Sequence, residues 1–173
     1  MSFAGTGLRA ARQPSGLQSP ASVNRNIHTP WLGVIEWAAS AELLFPLGLP
    51  GFENEQRILP VEIPLQRPLI YLQSLERPSV CFLSLPVLTI DPAFRLTLLD
   101  EDLLTLGLQP GVAPVLGEDV LCLALLVPVE DTVEANLAAP VVINLHRGVG
   151  AQCRLQQGPR RFRLDTRGWA QAC

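Results

Sequence analysis

The sequence predicts an all-β fold: a small closed or partly open β-barrel with one short helix and disordered termini. Three observations carry this. Eight apolar residues run unbroken from Val120 to Val127, between Asp119 and Pro128. That is too long for a strand wetted on one face, so it reads as central and buried. Pro recurs from Pro46 to Pro86 and cuts that section into short extended pieces, which excludes long helices. Finally, short strand-like runs follow one another with a single helical signal among them, and a barrel leaves fewer exposed edges than a sandwich.

In order, residues 1–29 are rich in Gly, Ser, Pro, Asn and Arg without periodicity and read as a disordered arm. WLGVIEW from Trp31 and ELLF from Glu42 look like a first pair of strands joined through Ala38 to Ala41. Phe45 to Glu53 holds two Pro and two Gly in nine residues, a stiff loop that uses Gly where other residues are strained. Arg57 to Ile63, Pro68 to Ser74 and Ser79 to Leu85 are the next strands. Asp100 to Gly107 is the helical signal, with acids in the cap and first turn and Gly107 to end it. After the Val120 run, a short polar connection and the segment ANLAAP lead to Val141, Val142 and Ile143, β-branched throughout. The small residues of ANLAAP let backbone approach backbone. His146 to Gly150 then turns the chain into a last strand, Ala151 to Leu155. The organisation is an arm (1–29), a barrel domain (30–157) and an Arg-rich tail (158–173).

The chain has 173 residues, 48% of them hydrophobic, and its mean hydropathy is +0.27, ample for one core. It has no apolar run of membrane-spanning length and no secretory h-region at the N-terminus, so a cytoplasmic protein without membrane contact is expected; a monomer is expected as well. Charge is uneven: residues 1–35 carry +3, 36–146 carry −11 and 147–173 carry +5. An acidic body disfavours direct nucleic-acid binding and favours a basic protein partner. Ten aromatic residues also leave few stacking platforms for an OB-like oligonucleotide-binding barrel.

Cys81, Cys122, Cys153 and Cys173 form no CxxC pair and have no His at ligand spacing, so no metal is expected. Cys81 and Cys122 read as buried filler and Cys173 as a free thiol. Enzymatic activity and a cofactor are not expected either. His28 falls in the arm and His146 in a turn, and carboxylates adjacent on a strand point to opposite faces.

Four pieces in this order resemble the FliW family of flagellar assembly factors: FPLGLPGFE (Phe45 to Glu53), LQS (Leu72 to Ser74), EDV (Glu118 to Val120) and ANLAAPVVIN (Ala135 to Asn144). The resemblance spans roughly Gly33 to Leu155. Leu69, Leu85 and Glu134 depart from the residues common in that family, and Pro159 to Arg163 replaces its usual ending. The resemblance implies a cytoplasmic β-barrel regulator that binds the translational repressor CsrA and flagellin. It would relieve repression of flagellin translation, with flagellin competing for the same antagonist. The alternative is a chaperone-like flagellin binder without a CsrA role.

On that reading, Glu118, Asp119, Asp131 and Glu134 are the expected partner-binding acids, with Phe52 and Glu53 as further candidates. Phe52 could equally plug a barrel end. Gly48, Pro50, Gly51, Gln73, Asn136, Pro140 and Asn144 are motif residues expected to serve the fold. The two Asn should tie loop backbone together, because a buried amide must satisfy its hydrogen bonds. Arg160, Arg161 and Arg163 are expected to form a solvated tail.

Overall fold

The computed structural model describes residues 24–156 and 161–164. The strands are β1 (Asn24–Thr29), β2 (Gly33–Ala38), β3 (Leu43–Leu44), β4 (Arg57–Val61), β5 (Ile70–Ser74) and β6 (Cys81–Pro86), then β7 (Val120–Val129), β8 (Thr132–Asn144), β9 (Val149–Gln152) and β10 (Arg161–Leu164). Two short helices, α1 (Val87–Ile90) and α2 (Asp100–Thr105), lie between β6 and β7.

Seven strands close a barrel in the order β8, β7, β6, β5, β4, β3, β9 and back to β8. An odd ring cannot alternate direction all the way round, so one neighbouring pair must be parallel. That pair is β3 and β9, at Leu44 and Val149; the others are antiparallel. The close fit at this seam has a visible cause. A Cβ on Gly150 would stand 2.4 Å from the ring of Phe45, which is fully buried above it.

The apolar run in β7 is unbroken because both of its faces are covered. Leu123 belongs to the barrel interior with Phe45, Ile58, Leu72, Val141 and Ile143. Val120, Cys122 and Ala124 face outward and pack against Val87, Phe94 and Leu106 of the segment between β6 and β7. Burial fades at the far end, where Val127 is 41% exposed. In α2, Asp100, Glu101 and Asp102 occupy the first turn, where the helix dipole favours negative charge. Gly107 follows with φ +68°, the left-handed stop that glycine adopts without strain.

ANLAAP lies inside β8 and is not a connection between two strands. Leu125 pairs with Asn136 but Leu123 pairs with Val141, so residues 137–140 form a wide bulge. Asn136 closes it, its Oδ1 accepting the amides of Ala138 and Ala139 at 3.2 Å each. The bulge then offers carbonyls to the chain after β9: Cys153 N–H donates to Pro140 and Leu155 N–H to Ala138. The polar connection between β7 and β8 shrinks to Glu130 and Asp131, Glu130 taking φ +50°.

Other expectations need correcting. Residues 24–29, expected in the disordered arm, are strand β1, so His28 stands in a ladder. WLGVIEW does not pair with ELLF. Its strand β2 turns back onto β1, because the turn at Pro30 to Leu32 lets Thr29 meet Gly33 and a 3₁₀ turn at Ala39–Ala41 separates β2 from β3. A second helix, α1, follows Pro86. The strand expected over Ala151 to Leu155 is β9, which starts at Val149 and ends at Gln152, and it is not the last. Residues 161–164 of the expected tail form β10, paired with β8. Cys81 is half-buried rather than buried. Residues 1–23, Arg160 and Cys173 lie outside the described residues.

Candidate functional site: the open barrel mouth

The barrel's two ends differ. One is closed by the loop from Phe45 to Glu53. Gly48 takes φ +64° there, and a Cβ on it would meet the Phe52 carbonyl at 2.5 Å, so the tight return needs glycine. Leu49 is buried, and Phe52 packs edge-to-face on Phe82 with ring centroids 4.9 Å apart. Pro50 and Gly51 turn the loop at the surface, Gly51 with φ +83°. The Gly51 N–H donates to Glu53 Oε1 at 2.7 Å, and backbone donors hold this carboxyl below its ordinary range. Phe52 thus packs into the plug, while the exposed Glu53 braces the Gly51 turn.

The other end is open. A mouth of about 270 Å³ has Leu43, Ile70, Leu121 and Ile143 as its floor, with Glu42, Glu62, His146 and Arg147 around it. The buried Asn144 amide fixes the β8–β9 turn. Its Oδ1 accepts the amides of His146 (2.9 Å) and Arg147 (3.2 Å), and its Nδ2 donates to the Leu106 carbonyl at 2.9 Å, tying the mouth to the end of α2. The acids here are answered. Glu42 accepts from Trp37 Nε1 at 2.9 Å and pairs with Arg25 and Arg57. Burial pushes its pKa up, but those hydrogen bonds and guanidinium charges prevail and hold it below the usual range. Glu62 lies 3.1 Å from Arg67 Nε. Asp119 accepts the Val115 amide at 2.8 Å and stands 3.5 Å from His146 Nε2. Arg147 has no carboxylate within ion-pairing reach among the described residues. Its side chain lies over Gly107, where a Cβ would come within 2.9 Å of a guanidinium nitrogen.

The four expected partner-binding acids do not share one surface. Glu118 and Asp119 precede β7 at the mouth end. Asp131 sits in the turn beyond the other end of a ten-residue strand, and Glu134 enters β8 close by. At about 3.3 Å per residue the length of β7 puts Asp131 up to roughly 33 Å from Glu118 and Asp119, and Glu134, which pairs with Val127, up to roughly 26 Å from Asp119. Glu118 and Asp131 are exposed, whereas Glu134, with its side chain 16% exposed, lies 3.7 Å from Arg161 and 4.0 Å from Arg163. Gln73 is buried, its Nε2 donating to the carbonyls of Ser74, Pro78 and Val80 and so holding the β5–β6 turn. Pro140 is buried in the β8 bulge.

Some residues escaped the sequence reading. Glu55, only 2% exposed at its side chain, pairs with Arg77 at 2.7 Å and accepts the Ser74 hydroxyl. An exposed Trp31 stands over a groove lined by Ile63, Tyr71 and Leu83. Arg147 gave no local signal, because only the fold sets it opposite Gly107. Among the described residues there is no group of three or more His, Cys, Asp or Glu side chains that could hold a metal. No helix among them is long and apolar enough to cross a membrane.

The family model described as FliW protein matches residues 26–165. The chain belongs to the FliW family. It is 32% identical over 138 residues to the flagellar assembly factor FliW of Anoxybacillus flavithermus, covering 78% of this chain and 89% of that one. With the FliW of Geobacillus thermodenitrificans the identity is 32% over 130 residues, covering 73% and 84%. A solved structure, the crystal structure of the flagellar assembly factor FliW, superposes with a TM-score of 0.68 at 28% identity, covering 80% of this chain and 96% of that one. The FliW match takes in β1 from Asn26 onward and all of β10, the two strands that lie outside the expected barrel domain.

Proposed function

We propose that this FliW-family chain is a non-catalytic flagellar assembly factor that binds CsrA and relieves repression of flagellin translation, and also binds flagellin. Its site of action would be the cytoplasm. The observation that carries this reading is the family match over residues 26–165, together with a barrel that keeps the family's motif pieces as structural parts: plug, turn and bulge. Antagonism requires only that CsrA hold RNA less tightly when the protein is attached.

A second reading, a flagellin binder without a CsrA role, draws on the pairing of Glu42, Glu55, Glu62 and Glu134 with the chain's own Arg residues. That pairing weakens the case for a basic partner and leaves apolar surface, the mouth and the Trp31 groove, as docking ground. Purified tagged protein should retain CsrA and flagellin from lysate and weaken CsrA binding to flagellin leader RNA in a gel shift. Capture of flagellin alone, with CsrA–RNA binding untouched, selects the second reading. Capture of neither overturns both.

A further inference from the structure

We propose that the open mouth of the barrel binds a peptide segment of a protein partner in which an apolar side chain stands beside an aspartate or glutamate. The apolar chain would enter the mouth and the carboxylate would meet Arg147. This rests on reading the chain as a partner-binding protein, but the chemistry follows from the site.

Size comes first. Pockets that enclose small molecules run roughly 300–1,000 Å³. A mouth of about 270 Å³ sits at the bottom of that range and has room for an inserted side chain. The floor is apolar: Leu43, Ile70 and Ile143 are core residues whose remaining free surface faces the opening. Closing water out of it is favourable for an aliphatic chain and unfavourable for a charged one.

Charge then selects the neighbour. Although the body of the chain is strongly acidic, Glu42 and Glu62 on the rim are each paired with Arg, and Asp119 is engaged by the Val115 amide and His146. Of the charged residues that line the mouth, Arg147 is the one without an opposite partner among the described residues; Glu118, at the same end, is also unpaired but lies outside the lining. Its side chain packs against Gly107, and the backbone turn that carries Arg147 is anchored at Asn144. A guanidinium so placed presents a fork that matches a carboxylate.

The test is a nuclear magnetic resonance titration of the full chain with three capped peptides, Gly-Asp-Leu-Gly, Gly-Asn-Leu-Gly and Gly-Asp-Ala-Gly. The Asp-Leu peptide should shift amides in residues 119–121 and 143–148 with a dissociation constant on the order of a millimolar. The Asn-Leu and Asp-Ala peptides should each bind at least several-fold more weakly. In Arg147→Gln the preference for Asp over Asn should vanish, and Ala41→Trp, which fills the mouth, should abolish all three responses. No shift at these amides in the wild type, equal response to the three peptides, or an Asp preference that survives in Arg147→Gln would overturn the proposal. The wild-type comparison decides even if a variant misfolds. Capture of CsrA or flagellin without peptide binding discards the mouth alone; peptide binding without capture of either discards the flagellar function alone.

Discussion

Glu134 of β8 stands directly opposite Arg163 of β10, and its carboxylate also lies 3.7 Å from Arg161. The acid offered to a partner by composition is thus answered by the chain's own C-terminal Arg residues. The same holds at the N-terminal side, where Arg25 meets Glu42. Both guanidiniums on Glu134 are exposed, so each pair contributes only about 0–1 kcal/mol. Glu134→Arg should lower the urea midpoint, by about 0–2 kcal/mol in stability for the two lost pairs together with the repulsion of a third Arg beside Arg161 and Arg163, and the triple variant with Arg161→Glu and Arg163→Glu should regain it. An unchanged midpoint in the single variant would mean that the pairs contribute nothing to stability.

Deleting residues 1–29 should destabilise the protein. The cut removes β1, leaving β2 without its ladder partner, and removes Arg25 from Glu42. Thermal melting checks this; an unchanged melting temperature would show that the hairpin contributes nothing to the barrel.

Gly150→Ala should cost about 1–3 kcal/mol, the usual range for forcing volume into a filled core. Here the added methyl would stand 2.4 Å from the Phe45 ring. Adding Phe45→Leu should recover part of the loss relative to Phe45→Leu alone, a coupling readable in a double-mutant cycle. Additive losses would separate the two residues.

The barrel and its central strand were legible because an unbroken apolar run such as Val120 to Val127 needs cover on both faces, and the structure supplies it. The pairings were less legible. WLGVIEW carries a strand signal, but nothing in it says whether β2 turns back to residues 24–29 or forward to ELLF. Residues 24–29 themselves, NRNIHT, hold one aliphatic residue and resemble the polar arm before them. The RFRL of β10 reads as charge because its strand lies along β8 with three of its four residues exposed. Asn136 and Asn144 were readable as backbone ties from residue chemistry alone. Arg147 was not, since its place depends on Gly107, forty residues earlier in the chain.

Glu42 makes stability depend on pH. Its folded pKa is held below the ordinary 4.5, so its stabilising effect is fully present above that value and fades as pH falls through the folded value. Glu42→Gln should therefore be less stable than wild type at neutral pH, with the gap closing below about pH 4.5. Denaturant midpoints across pH 3 to 7 read it directly; a gap that stays constant over the whole range would exclude Glu42 as the source.

If the chain binds CsrA as proposed, association should tell the two ends of the β7–β8 hairpin apart. Glu118 and Asp131 are exposed and have no ion-pair partner among the described residues, so either can steer a basic partner through solvent. They lie up to roughly 33 Å apart along the hairpin, while charges in 0.1 M salt are felt over about 10 Å. The two ends thus act independently, and only the one facing the partner should matter. Reversal to Arg at that end should slow association several-fold and flatten its salt dependence, with dissociation little changed. Reversal at the other end should do neither. Stopped-flow binding of purified CsrA to Glu118→Arg and Asp131→Arg, each at low and high salt, separates the cases. A rate loss at Glu118 places CsrA beside the open mouth, and a loss at Asp131 places it beside β10. If both variants associate like wild type, then neither acid steers the partner.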